Sequence, residues 1–191
     1  MNETALDEMQ TSRSIHPLIA NELVKFLDRV STPIARDIAP AFPVVVAGKI
    51  DCNDDEVALV DAAYARLRTV LSSRQFKDAV VAASFTETND LTPDAIYDLS
   101  VGKSPIAVDF TMFTGSFKQN HIWHTMGYED ARYPTVCFAN RHFIQDPSTC
   151  ASLILHETMH ILGFTHYGRK DTSVPYTMNR IFESVSAQLG V

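Results

Sequence analysis

Cysteine is scarce in this chain: Cys52, Cys137 and Cys150 are the whole set. An odd number cannot pair completely within one chain, so no disulfide framework is expected. Long apolar runs are missing too. No stretch approaches the roughly 20 residues of a membrane-spanning helix, which argues against a membrane partner. Positive charge is in deficit, with 16 Lys and Arg against 23 Asp and Glu and a net charge of −7. The cations are scattered and build no basic field, which argues against nucleic acid as a partner. The opening MNETALDEMQTSRS has neither the basic n-region nor the apolar h-region of a secretory signal. The chain as written is therefore expected in the cytoplasm, and signal-independent export or delivery as an effector fits the same residues. No internal repeat is visible, and the sequence assigns no oligomeric state.

What is present suits a folded chain: 46% hydrophobic and 20% charged residues over 191 positions. That length supports one domain with a real core and an appended segment. Ile19, Leu23, Phe26, Leu27 and Val30 recur at helical spacing, and STPIARDIAPAFP follows as a proline-punctuated connector. The chain divides there, into a helical extension or pro-segment at 1–42 and the main domain at 43–191.

Within the main domain, PVVVAGKI (43–50) reads as a buried strand. DDEVALVDAAYARLRTVL places Val57, Val60, Tyr64, Leu67 and Leu71 on one face of a long helix capped by Asn53 or Asp54. FKDAVVAASF (76–85), PIAVDFTMF (105–113) and RYPTVCFANRHFI (132–144) read as further strands, the last interrupted near Asn140. A short helix or turn starts at Pro93, with Thr92 or Asn89 as its cap, and 114–130 is an aromatic loop. Asp146-Pro147 opens another helix, which Gly163 stops, and NRIFESVSAQL closes the chain as a last helix.

The chemistry concentrates in HETMHILGFTH, from His156 to His166. His156 and His160 are four apart on one helix, so both imidazoles face the same way about one turn from each other. Two ring nitrogens can then reach one ion at about 2.0–2.1 Å. Gly163 lets the backbone turn and return His166 as a third ligand. Three protein ligands leave a fourth position for water or substrate, the arrangement of a catalytic zinc. Glu157 projects beside the metal, where it can take a proton from water. Five fixed positions of this kind occur by chance in on the order of 10⁻⁵ of chains this long.

HETMHILGFTH resembles the H-E-x-x-H-x-x-G-x-x-H signature of the metzincin zinc peptidases, and its GFTH ending is most similar to the astacin-type form. The resemblance implies a methionine turn beneath the metal, for which PYTM, ending at Met178, is the counterpart. It implies an α+β fold: a mixed twisted sheet of about four to five strands, a long backing helix, an active-site helix, and a small C-terminal subdomain with the Met-turn and a final helix. It also implies a zinc-dependent endopeptidase acting on a protein or peptide substrate, with Glu157 as general base. Tyr176, two residues before Met178, is a candidate donor to the transition state or an extra ligand; the alternative is packing in the turn. The strand ahead of the active-site helix, VCFANRHF, is by resemblance the one that pairs with substrate, and His142 near its end is a surface histidine or lines the cleft. Two departures stand out: Tyr167 follows the third histidine where the better-known branches carry an acid, and Tyr176 precedes the methionine instead of following it.

Other features read as structural. HIWH (His121 to His124) is an exposed loop, with a second metal or a specificity loop around Trp123 as the alternative. Cys52 lies in KIDCNDD, which does not match the thiolate switch of latent relatives. The rival functions are a catalytically silent zinc-containing binding or effector protein of the same fold, and a domain in which zinc is purely structural.

Overall fold

In the computed structural model, residues 44–101, 106–121, 126–130, 133–166 and 172–191 are described. The extension or pro-segment at 1–42 lies outside them. The described elements run β1 (Val44–Ile50), α1 (Asp54–Leu71), α2 (Arg74–Val81), α3 (Pro93–Val101), β2 (Ile106–Phe113), α4 (Phe117–His121), β3 (Gly127–Asp130), β4 (Tyr133–Asn140), α5 (Pro147–Ile161) and α6 (Val174–Leu189). The architecture is α+β, as the sequence implied.

The strands form one sheet in the order β1-β2-β4-β3. β1, β2 and β4 are parallel, and β3 pairs antiparallel with β4. β4 is therefore paired on both sides, so the strand the resemblance assigned to substrate has no edge to offer. Among the described residues the edge on that side of the sheet belongs to β3, within the stretch expected to be a loop.

Helix α1 begins with a reciprocal cap. Asn53 Oδ1 accepts the Glu56 amide at 2.9 Å, and Glu56 Oε2 accepts the Asn53 amide at 2.9 Å. Glu56 Oε1 also accepts from Arg141 Nε at 2.7 Å, which ties the start of α1 to the turn after β4. Burial raises the Glu56 carboxyl, but the Arg141 hydrogen bond and the Asn53 amide outweigh it and the net shift is downward.

FKDAVVAASF is not a strand. Ser73 caps a helix there, its hydroxyl accepting the Phe76 amide at 3.1 Å. Phe76 and Val80, four apart, are both fully buried, so the period is helical despite the β-branched pair Val80-Val81. The strand expected over 132–144 ends at Asn140, whose buried side chain bonds the amides of Gly115 and His142 and donates to Asn120 Oδ1. Those local partners replace a continuing ladder.

Helix α5 is the centre of the core. Its residues Cys150 to Met159 are all buried, and it packs against α1, α6, β3 and β4. A helix covered on every face by other elements needs no polar stripe, and its polar exceptions then call for explanation. Gly127 of β3 shows how close the packing is: a Cβ there would stand 2.6 Å from Leu153 Cδ1 and 2.6 Å from the Phe138 carbonyl oxygen. The edge strand thus runs against α5 one turn before His156. No helix among the described residues is long and apolar enough to cross a membrane.

Candidate metal centre

Asp146 fixes the start of α5. Its Oδ1 accepts the amides of Ser148 and Thr149 at 2.8 and 2.9 Å, and Pro147 fills the first helical position. From that start, the helical period sets His156 and His160 one above the other. Their ring centroids are 5.0 Å apart and their Nε2 atoms 3.3 Å apart.

Gly163 then ends the helix. Its φ of +93° lies on the positive side, where a Cβ is costly, and its amide bonds the His160 carbonyl at 2.8 Å. The Phe164 amide reaches back to the Met159 carbonyl at 3.0 Å, which completes a Schellman stop, and Phe164 and Met159 are both buried beside it. The same turn brings the Phe164 carbonyl to 2.8 Å from His160 Nδ1. A carbonyl can only accept, so Nδ1 carries the proton and Nε2 of a neutral His160 presents its lone pair.

His166 returns to within 4.9 Å of the His160 ring and 5.5 Å of the His156 ring, centroid to centroid. One nitrogen from each of the three histidines lies within 4.8 Å of the others. A tetrahedral ion with imidazoles at about 2.0–2.1 Å separates its ligand atoms by about 3.3–3.4 Å. The His156–His160 pair already stands at that spacing, and His166 needs only a small approach. The three histidines could hold a metal ion, and their donor set is imidazole only. His156 is 9% exposed and the other two are half-buried, so the cluster reaches the surface.

No family model matches the chain, nor does any curated protein or any solved structure.

Glu157 is 4% exposed. Its charge is felt by Cys137 of β4, whose thiol is pushed well up by burial first, then by Glu157 and Cys150. Tyr176 stacks on the cluster, its ring centroid 4.7 Å from His156 and 5.0 Å from His166. Met178 is fully buried, but it sits inside α6 rather than in a turn. The helix begins at Val174 and not at Asn179, because Pro175 is accommodated in the first helical turn. Tyr176 and Met178 therefore come from a helix start, with Tyr176 facing the imidazoles.

The remaining candidates stay apart from this cluster. His121 and His142 are exposed and pair edge to face at 5.6 Å, with Phe117 against His121 and Phe143 against His142. Trp123, His124 and Tyr167 lie outside the described residues. Cys52 bonds the Ile50 carbonyl, and among the described residues the three histidines are the one group of potential ligands within reach of each other. Two contributors escaped the sequence reading. The Phe164 carbonyl carries no side-chain signal at all. Asn89 donates to the Gly163 carbonyl at 3.0 Å across 74 positions, a separation no local pattern reveals.

Proposed function

We propose that the chain is a zinc-dependent endopeptidase of the metzincin type, hydrolysing peptide bonds in a protein or peptide substrate. The observation that carries this reading is the convergence of His156, His160 and His166, with one nitrogen from each within 4.8 Å of the others. A neutral imidazole trio on a helix and its C-terminal turn suits zinc, for which nitrogen donors at tetrahedral spacing are favoured. Bound zinc would supply Lewis acidity, making water a nucleophile near neutral pH and stabilising charge on the attacked carbonyl oxygen.

The chain's own residues do the rest. Glu157, adjacent to the first ligand, takes the proton of the attacking water and passes it to the leaving amine. Its burial limits competing solvation. Tyr176, packed on two of the imidazoles, holds its hydroxyl near the developing oxyanion and shields that side of the site from water. Met178 floors the core behind it. The substrate lies extended along β3, which among the described residues has a strand on one side only. Gly127 lets that strand approach α5 beside Leu153, one turn before His156, which supports a peptide paired there as the substrate.

Zinc titration of the metal-stripped protein tests the centre. One equivalent binds the wild type, and His160→Ala loses at least a hundredfold in affinity. Equal affinity in that variant would remove the centre from α5.

A further inference from the structure

The segment that returns His166 is anchored at both ends by the same distant loop. At one end, Asn89 Nδ2 donates to the Gly163 carbonyl at 3.0 Å, immediately after α5. At the other, the Thr86 amide donates to the Thr172 carbonyl at 2.8 Å, and the two threonine hydroxyls are 3.0 Å apart, just before α6. Thr86 and Ser173 form an isolated parallel bridge there. His166 lies between these two anchors and Tyr176 follows the second.

The loop adopts an uncommon backbone to do this. Glu87, Asn89 and Asp90 have φ of +57°, +51° and +64°. Asn and Asp tolerate that region, whereas Glu does not favour it, so the cost is concentrated at Glu87. Such backbone persists where surrounding contacts over-determine it, and it gathers at functional sites. The two anchors are among those contacts.

We propose that the Thr86–Asp90 loop is a clasp that positions His166 as the third metal ligand. The proposal rests on the zinc reading above. His156 and His160 are held by helix α5 itself and need no such support. His166 lies beyond the Schellman stop, so its approach to the other two depends on where the chain leaves Gly163 and re-enters α6. Asn89 and Thr86 act as positioning residues, through the backbone and not by touching the ion.

Asn89→Gly separates positioning from folding. Glycine accepts a φ of +51° without steric strain, so the loop keeps its path while the amide donor to Gly163 is lost. Zinc affinity is measured by competition with a chelator, beside unfolding of the metal-free protein. The expected result is about a tenfold rise in Kd, as for other groups that orient a ligand, with the metal-free unfolding midpoint lowered only by the small amount that one exposed hydrogen bond and a glycine account for. The cobalt-substituted variant should also shift toward the weaker d–d bands of higher coordination. In a His166→Ala background the same substitution should change Kd no further, since its effect runs through that ligand. An unchanged Kd in Asn89→Gly, beside a wild type that binds zinc, overturns the clasp and leaves the metal centre standing. A rise in Kd matched by lost metal-free stability, or one that persists without His166, also overturns it. A wild type that binds no zinc defeats the metal reading and the clasp with it.

Discussion

His160 donates from Nδ1 to the Phe164 carbonyl at 2.8 Å, four residues further along the chain. The bond joins a proposed metal ligand to the turn that follows its own helix, so helix termination and the orientation of that imidazole are one event. Gly163 makes that turn, and a Cβ there would meet nothing within 4 Å. The cost of Gly163→Ala is therefore backbone conformation alone, about 1–2 kcal/mol, read by denaturant unfolding. Zinc affinity should fall with it, because the Phe164 carbonyl and His166 both shift. Asn at this position should cost less than Ala, since Asn tolerates positive φ.

The three proposed zinc ligands should not be equivalent. His156 and His160 are set by one rigid helix, and His166 by an irregular segment. Replacing either helical histidine with Ala should abolish tight zinc binding. His166→Ala should leave a weaker two-histidine site, on the order of 10²-fold poorer. Chelator competition on the three variants checks the order, and a His166 variant with wild-type affinity would exclude it as a ligand.

Acid should loosen the start of α5. The Asp146 carboxyl is held below its usual range, first by the Thr149 hydroxyl, which donates to Oδ2 at 2.6 Å, and then by the Thr149 amide. A depressed folded pKa gives stability that is present above the ordinary carboxylate range. That stability is lost as pH falls through the folded value. Asp146→Ala should cost about 1 kcal/mol at neutral pH and progressively less in acid, measured by urea unfolding across pH. Asp146→Asn should keep most of the cap and lose the pH dependence.

The thiols should be inert. Burial pushes Cys150 up to about 12, with Cys52 and Asp146 adding to it, and burial drives Cys137 up as well. Cys52 is half-buried and raised by burial and then by Glu56. A thiol-reactive dye added to native protein should label Cys52 slowly and the other two not at all, and all three should react rapidly in denaturant. Rapid labelling of Cys137 or Cys150 in native protein would contradict their burial.

Much of the site was legible because it is local. The His156/His160 offset, the Asp146-Pro147 start and the Gly163 stop all act within a few residues, where the helical period and cap chemistry are readable. Helix α1 was equally plain, since Asn53 and Glu56 cap it over three positions. The misses are non-local. Val80 and Val81 favour a strand by type, yet Phe76 and Val80 are buried at helical spacing by packing that the segment does not encode alone. By resemblance VCFANRHF is the substrate strand, but the short β3 that covers its edge lies in a stretch without alternation. Met178 stands out by its distance from His166 and Tyr176 by its place two residues before Met178, although the helix that presents them starts before both.

The proposed reaction is metal-assisted peptide hydrolysis with Glu157 as the base. Its most direct test is cleavage of an unbiased peptide library by the zinc-loaded protein, read by mass spectrometry beside Glu157→Gln carrying the same zinc. New termini should appear with the wild type and be suppressed by chelator, and Glu157→Gln should cleave at least a thousandfold more slowly with zinc retained. Cleavage by Glu157→Gln at the wild-type rate, or no cleavage by a wild type carrying one zinc, would contradict it.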